Sequence, residues 1–128
     1  MERPLAYKGR TLTVAFGVAA VGDSPALAFY EDRSVRDKAK LLKLFGLLGD
    51  RGWINNDQKF KPIEGTKFFE FKESQIRMPC FRDGNVMVIT HGFIKKKDRI
   101  PPAEITRAER LMKEDLAIAA REKAKHVQ

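Results

Sequence analysis

The spacing of apolar and polar positions divides the first half of the chain into one strand and two helices. Residues 12–18 are rich in β-branched and aromatic side chains, which predicts a strand. Residues 26–32 predict a short helix, because Ser24 can cap it and Pro25 suits the first helical position. In residues 35–48 apolar side chains recur every three or four positions, which predicts a second, amphipathic helix.

Signals for the ends of this second helix lie on both sides of it. Ser34 and Asp37 place a hydroxyl and a carboxylate at the spacing of a capping box. Gly49, followed by Asp50, predicts where the helix ends. The connector that follows, residues 52–65, is rich in turn-forming residues and is predicted as irregular.

Three strands are predicted in the second half, over residues 67–72, 75–81 and 85–91. The links between them are so short that neighbouring strands must pair as antiparallel hairpins. Pro79 lies inside the second of these strands and has no N–H to donate, so it requires a sheet edge or a bulge. A basic loop over residues 95–99 follows.

The last predicted element is a helix that begins at residues 101–102, where two prolines stand. Its apolar stripe includes Ile105, Met112 and Ala119. The charged tail after it, residues 121–128, is expected to fray.

The order of these elements predicts an α+β fold. We expect a small, mostly antiparallel sheet with the two N-terminal helices and the C-terminal helix packed on one side. The other face of the sheet would be free to hold a polyanion. Residues 1–128 are expected to form a single domain, with its core in residues 11–118.

The composition narrows the range of partners. The 128 residues carry a formal net charge of +8, which favours nucleic acid, an anionic membrane surface or an acidic protein. The single cysteine, Cys80, excludes a disulfide-stapled scaffold, and we interpret it as a small apolar strand residue. His91 and His126 lie far apart and no Cys/His cluster has zinc spacing, so we predict neither a metal nor another cofactor.

The N-terminal segment has some features of an export signal. Arg3, Lys8 and Arg10 precede a weakly apolar run over residues 11–21, and Ala-Leu-Ala at residues 26–28 imitates a signal-peptidase site. The run is rich in Ala and Gly rather than Leu, and the same residues suit the first strand and helix. No stretch approaches the roughly 18–20 apolar residues that span a bilayer. We therefore predict a cytoplasmic protein without a membrane partner.

Four segments of the second half resemble a known family. They are KPIEG at residues 61–65, KFFEFK at residues 67–72, IRM at residues 76–78 and HGFIKKK at residues 91–97, the last before a Pro-led helix. Together they resemble the RelE/HigB superfamily, especially its phage-derived HigB-like branch. The HGFIKKK segment, in its place after a strand, is the most specific of the four. The resemblance implies a RelE-like fold over residues 11–118.

The resemblance also implies a function. Members of this family are the toxins of type II toxin–antitoxin systems, and they cleave messenger RNA, commonly in the ribosomal decoding site. It implies attack by the ribose 2′-hydroxyl on the adjacent phosphate, a reaction that selects RNA over DNA. The implied partners are a cognate antitoxin of the helix-turn-helix type, messenger RNA and the ribosome.

Cations on the matching segments are the candidate catalytic residues. Arg77 is the expected phosphate clamp, because a guanidinium can bind two phosphate oxygens at once. Lys72 can stabilise the transition state, or act as a base if neighbouring cations depress its pKa. Lys96 is the favoured proton donor or phosphate ligand. His91 is a candidate general base, although a structural histidine at a strand end is the favoured interpretation.

Five further cations are expected to bind the RNA backbone: Lys59, Lys61, Lys95, Lys97 and Arg99. The chain departs from the family pattern at four positions, where Lys72 replaces an arginine, Ile76 an aromatic residue, Pro79 an apolar strand residue and Lys97 a threonine. A lysine keeps the charge of an arginine but loses its planar fork, so these departures bear on catalysis more than on fold.

Two other functions fit the same composition. One is a non-catalytic module on the same fold that binds RNA or the ribosome, and the departures at Lys72 and Ile76 keep this alternative open. The other is a basic protein whose charge serves only to bind an acidic partner. An endoribonuclease would leave new RNA ends inside codons, whereas neither alternative would.

Overall fold

The computed structural model describes residues 2–96 and 99–126, which fold into one sheet with helices on both faces. Its strands are β1 Leu5–Lys8, β2 Thr13–Phe16, β3 Phe60–Pro62, β4 Phe69–Glu73, β5 Ile76–Asp83, β6 Val86–Ile89 and β7 Phe93–Ile94. Its helices are α1 Pro25–Glu31, α2 Val35–Arg51 and α3 Pro102–His126. The strand order is β1-β2-β6-β5-β4-β3, and β7 pairs with β5 beyond the end of β6. Because β2 and β6 are parallel and the other pairs antiparallel, the predicted α+β class is confirmed.

The predicted start signals of both N-terminal helices are confirmed. The hydroxyl oxygen of Ser24 accepts a hydrogen bond from the Leu27 N–H at 3.2 Å, and Pro25 is the first residue of α1. The hydroxyl oxygen of Ser34 accepts from the Asp37 N–H at 3.0 Å. These caps satisfy backbone donors that a helix leaves unpaired in its first turn.

The predicted end of α2 at Gly49 is wrong, because the helix continues as far as Gly52. Gly52 has a φ of 79° and its N–H donates to the Leu48 carbonyl at 2.7 Å, a left-handed cap that suits glycine. Gly49 serves another purpose: its carbonyl oxygen accepts from the N–H groups of Thr11 and Leu12, both at 2.9 Å. The helix thereby anchors the link between β1 and β2.

Three strands are not predicted by the sequence pattern. β1 lies in the charged N-terminal segment, β3 in the predicted connector, and β7 between the third predicted strand and the basic loop. Each has two to four residues, which is too short a segment to display an alternation. They form because a longer neighbour supplies their hydrogen bonds: β1 pairs with β2, β3 with β4 and β7 with β5.

The three helices do not share one side of the sheet, which corrects the predicted arrangement. α1 and α2 pack against a first face, in a core that joins Leu41 and Phe45 of α2 to Met78 of β5. α3 packs against the second face, in a core that joins Met112 to Val88 of β6. The physical reason is that β5 and β6 are apolar at consecutive positions, so both of their faces need cover.

A charged contact fixes α3 to the N-terminal segment. Arg3 donates through Nη2 to the carboxylates of Asp115, at 2.6 Å, and Asp83, at 2.9 Å. The Asp115 carboxylate is buried and also accepts from the Val18 N–H at 3.0 Å. The start of the chain and its last helix are therefore held together by hydrogen bonds that satisfy the buried charge.

The end of the chain also differs from the prediction. Residues 121–126, expected to fray, continue α3 as far as His126, whereas residues 127–128 lie outside the described residues. Among the residues that the structure describes, none of the helices combines the length and the apolar character needed to cross a bilayer.

Pro79 lies in β5, a central strand, although the sequence analysis required an edge or a bulge. Its carbonyl oxygen accepts from the Thr90 N–H at 2.9 Å, on the side where β6 ends at Ile89 and β7 begins at Phe93. The missing N–H of the proline therefore falls in a gap between two strands, where no ladder bond is lost. Because Cys80 pairs with Ile89 and Arg77 with Phe93, three residues face two residues of β5 here, so the expected bulge is confirmed. The same gap holds His91.

Candidate active site

The second face of the sheet carries a group of four cations. The strand register places Lys61 opposite Glu70 and Lys72 opposite Arg77. Lys95 joins them because its N–H continues the ladder between β7 and β5 with a hydrogen bond of 2.7 Å. We call Lys61, Lys72, Arg77 and Lys95 the cation cluster, since all four act electrostatically on the carboxylate of Glu70.

A cleft of about 650 Å³ gives access to this part of the face. Its lining includes Lys61, Glu70, Lys95 and Arg99, together with Ile105 of α3. The volume lies within the range of ligand-binding clefts. Three cations that were expected to bind an RNA backbone therefore line one cleft.

Arg77, the expected phosphate clamp, is buried, with only 8% of its surface exposed. Its Nη1 donates to the carbonyl oxygens of Ser74 and Ile76, at 2.7 and 2.9 Å. Its Nε lies 3.4 Å from Oε1 of Glu70 without forming a hydrogen bond. Within the part of the chain that the structure describes, Nη2 makes no hydrogen bond, in contrast to Nη1.

Glu70 is the member of the site that sequence reasoning missed. Its side chain is almost fully buried, and burial raises the pKa of the carboxyl, although Arg77 and the three lysines of the cation cluster lower it in part. A signal was present in the sequence. Phe69 and Phe71 pack against the first core, so the alternation of a strand places Glu70 and Lys72 together on the opposite face.

Lys72 lies opposite Arg77, and its Nζ donates to the Asp57 carbonyl oxygen at 3.1 Å. Desolvation lowers the pKa of Lys72, and the positive charges of Lys61 and Arg77 lower it further. A larger fraction of its amine is therefore unprotonated at neutral pH, and able to accept a proton, than in an ordinary lysine.

The cations that follow β7 are divided between two clefts. Lys95 is half-buried and lines the cleft of the cation cluster. Lys96 is exposed and lines a second, more apolar cleft of about 670 Å³, and Arg99 lines both. Lys97 lies outside the described residues. The structure thus brings Lys95 into the cation cluster and places Lys96 in the neighbouring cleft.

His91 is fully buried in the gap between β6 and β7. Its Nδ1 lies 2.9 Å from the Thr90 hydroxyl, and its Nε2 lies 3.0 Å from Oε1 of Glu104. Burial lowers the pKa of the ring to about 4, although the Glu104 carboxylate favours the protonated form. The ring is therefore neutral at neutral pH, and the Glu104 carboxylate favours the tautomer with a hydrogen on Nε2, which donates to it. The Thr90 hydroxyl beside Nδ1 also lies 3.2 Å from the Pro79 carbonyl oxygen. Both ring nitrogens are occupied, as expected for a structural histidine.

Lys59 does not belong to the cation cluster, since it forms an ion pair with Glu73. Its Nζ donates to Oε2 of Glu73 at 2.8 Å, and Lys40 of α2 lies 3.7 Å from the other carboxylate oxygen. Glu73 is buried and pairs across the strands with Ile76, on the first face of the sheet. The charge of Lys59 is therefore compensated within the protein.

Among the described residues, no group of three or more His, Cys, Asp or Glu side chains is placed to hold a metal ion. Cys80 is fully buried in the first core, where burial raises the pKa of its thiol well above the ordinary value. The sulfur stays protonated and unreactive, because the thiolate is the form that binds metals and attacks substrates. The interpretation of Cys80 as an apolar strand residue is confirmed.

Comparison with known protein families shows a match. A family model described as phage-derived protein Gp49-like (DUF891) matches residues 30–113. The match covers more than half of the chain and includes α2, strands β3 to β7, the cation cluster and Glu70. No curated protein matches the chain.

Proposed function

Because the chain belongs to the phage-derived Gp49-like protein family (DUF891), a toxin-like family related to RelE/HigB, we propose that it is the toxin of a type II toxin–antitoxin pair and cleaves messenger RNA. The observation that carries this proposal is the cation cluster, with Lys72 and Arg77 directly opposite each other on neighbouring strands. Like charges in that position destabilise a sheet, and a bound phosphate would relieve their repulsion.

The cluster offers the groups that cleavage of RNA requires. Arg77 Nη2 and Lys61 bind the non-bridging oxygens of the phosphate and stabilise the charge that develops on them. Lys72 accepts the proton of the 2′-hydroxyl, which its lowered pKa favours. The 2′-oxygen then forms a bond to phosphorus while the bond from phosphorus to the 5′-oxygen breaks. The products are a 2′,3′-cyclic phosphate and a 5′-hydroxyl end.

We assign the proton for the leaving 5′-oxygen to Lys95. Its position beside Glu70 in the cation cluster supports it over Lys96, which lines the neighbouring cleft. His91 is not assigned a step, because it is buried and both of its ring nitrogens have partners. Lys96, Lys97 and Arg99 would then hold the RNA backbone on either side of the scissile phosphate.

The partners follow from the same proposal. A cognate antitoxin, which the family resemblance implies to be a helix-turn-helix protein, would neutralise the toxin. The substrate would be messenger RNA in the cytoplasm, bound at the ribosomal decoding site. The net charge of +8 supports binding to both RNA and ribosome.

Expression in growing cells tests the proposal. We expect growth arrest and new transcript ends that carry a 5′-hydroxyl, cut inside codons, and we expect Lys72→Met to abolish both while the protein stays folded. A purified RNA with a single 2′-deoxy nucleotide at the cut site should resist cleavage. RNA binding without any new ends would contradict the nuclease and identify the chain as a non-catalytic RNA- or ribosome-binding module, which the burial of Arg77 favours as the second candidate.

A further inference from the structure

We propose that Glu70 is a positioning residue of this site, which holds the guanidinium of Arg77 with its Nη2 corner toward the phosphate and balances the charge of the cation cluster until the phosphate binds. The inference rests on the proposed function, since it concerns how the same site meets its substrate. Glu70 is 2% exposed and comes from β4, next to the strand that carries Arg77.

The contacts of Arg77 leave its guanidinium little freedom. Nη1 is held by two backbone carbonyls of the β4–β5 turn and β5, and Nε faces the Glu70 carboxylate at 3.4 Å. Within the described residues, Nε of Arg77 is the buried side-chain nitrogen or oxygen that has no hydrogen-bond partner. A buried donor in that state is costly, and a small approach of Glu70 would satisfy it. Glu70 therefore determines the orientation of the guanidinium plane of Arg77.

The turn beneath Arg77 adds to this constraint. Ser74, whose carbonyl accepts from Nη1, has a φ of 52°, a left-handed conformation that is uncommon for a residue other than glycine. The tight link between β4 and β5, whose flanking residues Glu73 and Ile76 pair directly, requires such a conformation. Arg77 is thus fixed from the turn on one side and from Glu70 on the other.

Charge balance explains why a carboxylate lies under a site for an anion. Lys61 lies opposite Glu70 and Arg77 lies 3.4 Å from it, and Lys72 and Lys95 also act electrostatically on its carboxylate. Without an anion among them, four neighbouring cations would repel one another in a partly desolvated place. Once a phosphate is bound, the same carboxylate repels it. Glu70 should therefore weaken binding of the ground state while it favours the geometry of the reaction.

Glu70→Gln separates these two effects, because the amide keeps the shape and loses the charge. We expect Glu70→Gln to bind a 2′-O-methyl RNA oligonucleotide at least as tightly as the original chain, yet to lower kcat on cleavable RNA by about 10- to 100-fold, as for a misplaced catalytic group. In ¹⁵N-labelled protein the Nε–H resonance of Arg77 should shift, and its exchange with solvent should become faster.

Glu73→Gln is the matched control. Glu73 lies on the same strand as Glu70, is also buried and forms ion pairs with lysines, but its side chain is on the first face of the sheet. We expect it to leave kcat and the Arg77 resonance unchanged. Glu70→Asp is the second variant, which keeps the charge but shortens the reach; it should bind RNA as the original chain does and still lose kcat. If Glu70→Gln does not fold, Glu70→Asp tests the positioning role in its place.

The inference would be overturned by equal effects of Glu70→Gln and Glu73→Gln, by an unmoved Arg77 Nε–H resonance, or by a Glu70→Asp variant with unchanged kcat. Loss of the acid limb of the pH–rate profile in Glu70→Gln would instead make Glu70 a general base, which also contradicts a positioning role. A chain that cleaves no RNA would defeat the proposed function alone. The resonance and the binding of 2′-O-methyl RNA would still test Glu70.

Discussion

At the scale of single residues, burial changes what the candidate side chains can do. Arg77 is the expected phosphate clamp, but the structure buries it and commits one of its nitrogens to two backbone carbonyls. His91 is a candidate base, but both nitrogens of its ring have hydrogen-bond partners. In both cases the hydrogen-bond partners, rather than the residue type, determine which chemistry remains open.

The burial of Arg77 predicts a loss of stability as well as of function. Arg77→Ala should lower the free energy of unfolding by about 3 kcal/mol, because it removes the guanidinium that lies beside the buried Glu70 carboxylate. Arg77→Lys should cost less stability and still abolish cleavage, since an ammonium cannot reproduce the fork. Urea unfolding and a cleavage assay on both variants measure this. An Arg77→Ala variant as stable as the original chain would contradict the buried contacts.

His91 predicts a pH dependence of stability. The folded ring has a pKa of about 4, and the unfolded ring takes up a proton near its ordinary pKa of 6.5. Between these values the unfolded state binds more protons, so stability is lost as the pH falls from about 6.5 toward 4, by at most about 1.4 kcal/mol per pH unit. Unfolding at several pH values between 5 and 7 tests this, with His91→Gln as control. The slope should disappear in the variant; an unchanged slope would assign it to other groups.

At the scale of elements, α2 shows that two glycines in one helix can serve different purposes. A Cβ at Gly46 would make ordinary contact with the Tyr7 ring, at 3.5 Å. A Cβ at Gly49 would lie 2.9 Å from that ring and 3.1 Å from the Leu12 carbonyl oxygen, which is too close. The close approach of the β1–β2 link requires glycine at the second position only.

This difference predicts opposite effects of the same substitution. Gly46→Ala should stabilise the protein by about 0.5–1 kcal/mol, because alanine has the higher helix propensity. Gly49→Ala should destabilise it despite that propensity, by about 1–3 kcal/mol, since the backbone of β1 and its link must shift. Thermal unfolding of both variants compares them directly. Equal shifts of Tm would show that the approach of the link is not tight.

At the scale of the whole molecule, only part of the basic charge is available to bind a nucleic acid. Lys61, Lys95 and Arg99 line a cleft on one face, whereas Lys59 and Lys40 share Glu73 on the other. A cation that already has a carboxylate partner releases fewer counterions on binding nucleic acid. The net charge of +8 therefore overstates what is available to an RNA backbone.

The distribution predicts which lysines contribute to the salt dependence of RNA binding. Lys61→Ala and Lys95→Ala should each reduce the slope of log K against log salt by about one. Lys59→Ala is the matched control and should change it by much less, because Glu73 already compensates Lys59. Titrations of a 2′-O-methyl RNA at several salt concentrations give the slopes. Equal slopes for all three variants would remove the distinction between the two groups of lysines.

The residue pattern is sufficient for the features that depend on near neighbours. The caps at Ser24 and Ser34, the longer strands and the α+β class follow from local spacing, because hydrogen bonds within a turn or hairpin join residues close in sequence. The same alternation puts Lys72 on the face opposite Phe71. By the same alternation Glu70 lies on the face of Lys72.

What only the tertiary structure decided depends on contacts between distant segments. The short strands β1, β3 and β7 form against longer neighbours, and α3 covers the second face because β5 and β6 are apolar on both. The strand register sets Lys72 opposite Arg77 and brings in Lys95 in place of Lys96. No spacing within a segment contains that information, because register and burial arise when separate segments pack together.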